Sequence, residues 1–207
     1  MVMLPVYKLK RATMQGQLYK TYYYVNFTDE EIEKAKTYTK KRDEYNITKY
    51  TNFNNGVHNN WIGVLGEWAF AYMLKQLELP FTWHKEKAKD EQDFTIPKRN
   101  IYGQDLEIDV KCQFYRNARD VEPYHNCYVV EKQVEKTKKP DYPVNMFVFS
   151  KWIDIDKQVI LVGYIWVDDF LKNGKFRRAT DYTNLSTNDY AITISKLSRI
   201  TDIDKSR

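Results

Sequence analysis

Several features that mark particular protein classes are scarce in this chain of 207 residues. It has 2 cysteines and 3 histidines, and no C-x-x-C pair or Cys/His cluster occurs, which argues against a structural zinc site. With 7 glycines and 6 prolines, it has little material for long flexible linkers. No run reaches a length of about 18 apolar residues, and the N-terminus lacks a signal-peptide hydrophobic region. We therefore expect reduced thiols, no membrane partner and a cytoplasmic location, in the host cytoplasm if the protein is viral.

What the chain does have is charge and aromatic side chains. Charged residues make up 29% and hydrophobic residues 43%, as in ordinary soluble globular proteins. The formal net charge of +5 permits a polyanionic partner without demonstrating one. The length fits one domain with embellishments or at most two small domains. The abundance of Lys, Asn and Tyr suggests a viral or mobile-element protein.

Residues 1–57 predict an N-terminal extension that packs on the rest of the chain. Tyr22, Tyr23 and Val25 favour a strand or hairpin. Thr28, followed three residues later by Glu31, is typical of a capping box that starts a polar helix. The Asn-rich stretch 46–58 predicts a loop.

Residues 58–207 predict the core of the protein. A helix from Asn59 or Asn60 to about Glu78 is apolar on most sides, which indicates a buried helix. Strands follow, and their order with that helix predicts an α/β (α+β) fold with a central mixed sheet flanked by helices. The predicted strands are 81–84, 93–96, 106–114, 127–130, 146–152, 159–166 and 191–194.

The strand 106–114 carries the most informative pattern. Since side chains alternate across a strand, Asp109, Lys111 and Gln113 share one face with Glu107. An acid and a lysine two residues apart on one face can reach the same ligand. The alternative is the solvated face of an amphipathic strand, where such alternation is common.

Two further acids fit the same interpretation. Asp93 opens the strand before 106–114, so a hairpin would place it beside Asp109. Two carboxylates about 4 Å apart repel by roughly 4 kcal/mol at an effective dielectric constant near 20, unless one is protonated or a cation lies between them. Glu67 lies on a small or apolar face of the buried helix. The alternatives are a surface aspartate and a helix carboxylate paired with a lysine or arginine.

The ordered set of motifs resembles the PD-(D/E)xK (restriction endonuclease-like) nuclease superfamily over about residues 58–170. The helical string Gly63-Val64-Leu65-Gly66-Glu67 looks like its glutamate helix, and Asp93 followed by Asp109-Val110-Lys111 matches its acid and its (D/E)-x-K strand. Gln92 stands where the superfamily name has proline. Glu107 stays an alternative acid, although only Asp109 has a lysine two residues later.

The resemblance implies a Mg²⁺- or Mn²⁺-dependent phosphodiesterase acting on DNA. Glu67, Asp93, Asp109 and the Val110 carbonyl would bind the metal, Lys111 would orient or deprotonate the attacking water, and Gln113 would contact water or phosphate. The superfamily includes small homodimeric Holliday-junction resolvases as well as restriction-type, phage and archaeal-virus nucleases.

Basic residues after the catalytic strand predict a phosphate track, for which solvated surface charge is the alternative. The expected DNA is duplex, branched or single-stranded, RNA stays open, and a homodimer would suit cutting both strands. The competing functions are a non-catalytic nucleic-acid-binding module that retains the nuclease fold and a sugar- or protein-binding domain. The predicted track consists of Arg116, Arg119, Lys132, Lys136, Lys138 and Lys139.

Overall fold

The computed structural model describes residues 6–11, 20–46, 60–84, 92–97, 103–115, 125–179 and 188–205. Within these residues four α-helices are present, and none of them is long and apolar enough to cross a membrane. The helices are α1 (Asp29–Asn46), α2 (Asn60–Gln76), α3 (Glu131–Thr137) and α4 (Val167–Asn173). The strands are β1 (Val6–Arg11), β2 (Lys20–Asn26), β3 (Thr82–Trp83), β4 (Phe94–Ile96), β5 (Leu106–Tyr115), β6 (Asn126–Val130), β7 (Met146–Ile153), β8 (Gln158–Trp166), β9 (Lys175–Arg177) and β10 (Asp189–Thr193).

The capping box predicted for α1 is confirmed. The Thr28 backbone N–H donates to Glu31 Oε2 at 3.0 Å, and the Glu31 N–H donates to Thr28 Oγ1 at 3.3 Å. Each side chain therefore satisfies a backbone donor that the first turn of a helix leaves without a partner. The hairpin predicted before α1 is also present, as the antiparallel pair of β1 and β2.

A mixed sheet of seven strands forms the centre of the protein, in the order β1-β2-β8-β7-β5-β4-β3. β5 and β7 are parallel, and the other neighbours in this sheet are antiparallel. Parallel neighbours require a crossover connection, and β6 with α3 lies within that connection. The mixed α/β class predicted from the sequence is confirmed at this level.

The two faces of the large sheet are covered differently. On one face, α1 and α2 pack on alternate residues of β7 such as Met146 and Val148. On the other face, Phe147 and Phe149 pack against α3, α4 and a second sheet of order β6-β10-β9. The prediction that helices flank the sheet is therefore incomplete, since a small sheet shares the second face. Its strands β6 and β10 are far apart in the chain, and a local sequence pattern does not record such a pairing.

Helix α2 approaches the sheet most closely at Gly66. A Cβ atom added there would lie 2.6 Å from Cys112 Cβ on β5 and 2.8 Å from Ser150 Oγ on β7. A Cβ added at Gly63 of the same helix would meet no atom within 4 Å. Glycine at position 66 thus sets the distance between α2 and β5 and fixes where the next residue, Glu67, is held.

The two glycines give a matched pair of substitutions. We expect Gly66→Ala to lower the free energy of unfolding by about 1–3 kcal/mol, since the added methyl must push β5 or β7 aside. Gly63→Ala should raise it by about 0.5–1 kcal/mol, because alanine favours a helix over glycine and the space is open. Urea denaturation of both variants measures the two changes. Equal effects of the two substitutions would contradict the close approach at Gly66.

Candidate functional site

The site lies where β4 ends beside β5. β4 pairs with β5 only from Leu106 to Ile108, so among the described residues β5 continues to Tyr115 without a strand partner on that edge. Asp93, the residue before β4, takes the place of the missing strand: its Oδ2 accepts the Val110 N–H at 2.7 Å. Its own N–H donates to the Ile108 carbonyl at 2.7 Å. The end of β4 therefore holds Asp93 against the middle of β5.

Asp109 and Lys111 share one face of β5, as the alternation predicted. Lys111 Nζ lies 2.5 Å from Asp109 Oδ1. The side-chain amide of Gln133, on α3, donates to the other carboxylate oxygen, Oδ2. Asp109 is 4% exposed, so this pair is shielded from solvent on most sides. Both oxygens of Asp109 are therefore engaged by side chains of the protein.

Glu67 reaches the same place from the opposite face of the sheet. It follows Gly66, so the close approach of α2 to β5 brings its carboxylate towards the free edge of β5. Glu67 is 8% exposed, and the Trp83 indole N–H donates to its Oε2 at 3.5 Å, the long limit for a hydrogen bond. A carboxylate this buried is held at a cost unless charge or hydrogen bonds compensate it.

The electrostatics show that these groups form one cluster. The pKa of Asp93 is raised well above its ordinary value, first by burial and then by the negative charges of Glu67 and Asp109. The charge of Lys111 and the hydrogen bond from the Val110 N–H act in the opposite direction. Three carboxylates thus act on each other across the end of β4, and Lys111 partly offsets their repulsion.

Four of the sequence-predicted site residues, Glu67, Asp93, Asp109 and Lys111, lie together in the structure. Val110 contributes its N–H, which donates to Asp93, while a metal-binding role for its carbonyl stays a prediction. Gln113 lies further along the same face of β5. Its Oε1 is buried and has no hydrogen-bond partner within the described part of the chain.

The alternative acid Glu107 is used elsewhere. Its Oε2 accepts the Thr95 hydroxyl at 2.7 Å, and His84 Nε2 lies 2.8 Å from that same hydroxyl. Glu107 is also absent from the groups whose charge shifts the pKa of Asp93. The register that puts Asp109 in the acidic cluster therefore agrees better with the structure than the register that would use Glu107.

Four of the predicted track residues lie on or just after α3, the helix that brings Gln133 to Asp109. Lys132, Lys138 and Lys139 are exposed, and Lys136 is half-buried. Lys138 Nζ also pairs with Glu135 at 2.5 Å. The remaining two, Arg116 and Arg119, lie outside the described residues.

Sequence reasoning missed two side chains beside the predicted cluster. Gln133 was not distinguished from other polar residues of a short helix, and no pattern in the sequence connects it with Asp109. Lys151 is fully buried on β7, opposite Gln113, with Nζ 3.8 Å from the centre of the Tyr115 ring and 3.4 Å from the Asn126 carbonyl oxygen. Lys151 could have been noticed in the sequence, because it is a charged residue within a strand that is otherwise almost entirely apolar.

The chemistry of the donors fits a hard divalent cation. Over the described ranges, no group of three or more His, Cys, Asp or Glu side chains is arranged so that it could hold a metal ion. Mg²⁺, however, is usually bound through one or two carboxylates together with water and substrate phosphates. Asp93 and Asp109 supply two carboxylates. The pKa of Asp93 is raised first by burial and then by the charges of Glu67 and Asp109, and a nearby cation would offset that negative charge. A cation at this position would share Asp109 with Lys111 and Gln133.

The raised pKa of Asp93 predicts a stability change with a definite pH dependence. A carboxyl whose pKa is higher in the folded than in the unfolded chain lowers stability as pH rises from the unfolded value towards the folded one. Asp93→Asn removes the charge and keeps an acceptor for the Val110 N–H. We expect the Tm of this variant to exceed that of the wild type, by a margin that grows as pH rises above about 4.

Thermal unfolding in EDTA across pH 4 to 9 measures this margin. Each 1 kcal/mol moves the Tm of a domain of this size by about 2–4 °C. Asp105→Asn is the control, since Asp105 is an exposed aspartate that lies just before β5. A margin that stays constant with pH, or a variant less stable than the wild type at pH 8, would show that the pKa of Asp93 is not raised in the folded protein.

Comparison with known proteins gives no assignment for the chain. No family model, no curated protein and no solved structure matches it. The function is therefore inferred from the chemistry of the residues and from the geometry of the acidic cluster.

Proposed function

We propose that the chain is a divalent-metal-dependent nuclease that hydrolyses phosphodiester bonds, with DNA as the expected substrate. The observation that supports this is the convergence of Glu67, Asp93, Asp109 and Lys111 from α2, the start of β4 and β5. These residues follow one another along the chain in the order of the PD-(D/E)xK motif, and the resemblance to that superfamily rests on this order. Membership of that superfamily and its core fold are part of the proposal.

Asp93 and Asp109 are the proposed metal ligands. Glu67, on α2, would add its negative charge to the same site. When bound, Mg²⁺ or Mn²⁺ polarises the scissile phosphate and lowers the pKa of a coordinated water. Asp93 is fixed for this role by the Val110 N–H, and Asp109 by the Gln133 amide. Side chains that hold metal ligands in place in this way affect metal affinity and activity by about 10- to 100-fold in other proteins.

Lys111 is proposed to orient the attacking water and to stabilise the negative charge that develops on the phosphate. Its ammonium group is half-buried beside Asp109, in a place where phosphate oxygens would meet a positive charge. Gln113, on the same face, would give its buried Oε1 a donor in water or substrate. The exposed lysines on and just after α3 would contact the phosphates on either side of the scissile bond. These are Lys132, Lys138 and Lys139.

One observation favours a second function, a nucleic-acid-binding module without catalysis. Lys111 and Gln133 engage both oxygens of Asp109, so the acidic cluster is partly neutralised by the protein itself. A module of this kind would bind DNA with strong dependence on salt and would cleave nothing, whatever the metal.

Cleavage assays separate the two functions. We expect the wild type to cut supercoiled plasmid, linear duplex, single strands or a four-way junction in Mg²⁺ or Mn²⁺ and to cut none of them in EDTA. Lys111→Ala should lower the rate by about 100-fold or more, since a group that stabilises transition-state charge commonly contributes that factor. The preferred substrate then distinguishes a junction resolvase from a general nuclease.

Lys157→Ala is the matched control, because Lys157 is an exposed lysine whose partner is Asp29, far from the acidic cluster in the chain. It should cut at the wild-type rate. Salt-sensitive DNA binding with no cleavage of any substrate would select the binding module, and equal cutting by Lys111→Ala would exclude the assigned site.

A further inference from the structure

Few large apolar side chains are exposed over the described residues, and two of them, Phe114 and Phe176, are aromatic. Phe176 lies in the small sheet of order β6-β10-β9. Phe176, on the edge strand β9, is 42% exposed. It is opposite Tyr190 of β10 in the sheet register, and the two rings lie 5.2 Å apart at 58°. Tyr190 is half-buried and packs on the core of that face. The two rings, here called the aromatic pair, form a partly open apolar surface.

The aromatic pair lies within a basic environment. Arg178, two residues after Phe176 in the chain, is exposed, whereas the exposed Lys175 lies on the opposite face of β9 together with Arg177. Helix α3 packs on β10, the strand that carries Tyr190, and the exposed Lys138 follows the last residue of α3. Arg177 does not belong to this environment, because its guanidinium is paired with Asp189 at 2.7 Å and lies over the Tyr128 ring on the other side of β9.

Helix α3 connects the aromatic pair with the acidic cluster. The helix packs on β10, the strand of Tyr190, its Gln133 donates to Asp109, and Lys138 follows its last residue. At a rise of about 1.5 Å per residue, these two positions are within about 10 Å of each other along the helix axis. A nucleic-acid strand that leaves the candidate site along α3 would therefore reach the two rings.

We propose that the aromatic pair of Phe176 and Tyr190, with the exposed Lys138 and Arg178 on neighbouring segments, binds the unstacked bases of single-stranded nucleic acid next to the candidate active site. Exposed rings within a positive surface are the combination that binds single strands, because bases stack on the rings and phosphates meet the cations. A duplex keeps its base faces stacked inside and cannot use the rings. This inference rests on the proposed nuclease function and narrows its substrate to strands with an unpaired segment, such as single strands, flaps and branched DNA.

Binding in EDTA tests the inference independently of cleavage. The affinity of the full chain for a fluorescent 20-nucleotide oligo-dT and for a hairpin duplex of equal length is measured by anisotropy at low salt. We expect Phe176→Ala to weaken oligo-dT binding by about 5-fold or more, as a lost base-stacking contact does elsewhere, with less than about 2-fold change for the duplex. Phe176→Trp should retain the wild-type affinity, because it keeps a ring.

The matched control is Ile155→Ala, at the turn between β7 and β8. Ile155 is 73% exposed and lies outside the β6-β10-β9 sheet, so its removal should leave both affinities unchanged. The Tm of each variant shows that it is folded. Unchanged oligo-dT affinity in Phe176→Ala, an equal loss for both ligands, no oligo-dT binding by the wild type, or a change confined to self-association in sedimentation would each overturn the inference.

Failure of this inference and failure of the nuclease proposal look different. If oligo-dT binding depends on Phe176 and no substrate is cleaved in Mg²⁺ or Mn²⁺, the base-binding surface stands and the nuclease function does not. If plasmid is cleaved through Lys111 and Phe176→Ala binds oligo-dT as the wild type does, the nuclease function stands and the surface does not.

Discussion

The repulsion between buried carboxylates at the end of β4 is the constraint on which the candidate site depends. Asp93 is half-buried beside the buried Glu67 and Asp109, and all three would lower the stability of the fold when ionised together. Elsewhere in a fold such a cluster would be replaced by apolar residues at little cost. Its presence here, beside a lysine and at the free edge of a strand, is the reason for proposing a cation and phosphate chemistry at this site.

Each of these charged side chains is held in place by a different local feature of the fold. Gly66 brings α2 onto β5 and so sets the position of Glu67. The end of β4 leaves the Val110 N–H without a strand partner, and Asp93 accepts it instead. The crossover between β5 and β7 contains α3, whose Gln133 holds Asp109 from the other side. The candidate site therefore requires both layers that cover the large sheet.

Much of the candidate site and part of the fold could be predicted, because they depend on patterns among residues that are close together in the sequence. The alternation of Asp109 and Lys111 along one strand and the apolar surroundings of Glu67 identified three of the clustered residues. The turn-like sequence between the two strands brought Asp93 next to Asp109, and β4 does pair with β5. The capping box at Thr28 located the start of α1 to the residue.

What could not be predicted depends on contacts between distant segments. The β6-β10-β9 sheet pairs strands that are far apart in the chain, so the second face of the large sheet was expected to hold helices alone. Gln133 reaches Asp109 only because that sheet and α3 pack on Phe147 and Phe149. Lys151 lies in a strand whose two faces are both buried, and the partners of its ammonium group come from the ends of β5 and β6.

The most direct test of the account is whether the acidic cluster binds a divalent cation. Electron paramagnetic resonance measures free Mn²⁺ as it is titrated into the protein without nucleic acid. We predict that the wild type removes Mn²⁺ from the free pool at a saturable site. Asp109→Asn should weaken this binding by about 10-fold or more, since losing even a residue that orients a metal ligand costs about 10- to 100-fold in other proteins. Saturable binding that Asp109→Asn leaves unchanged, or no binding by the wild type, would contradict it.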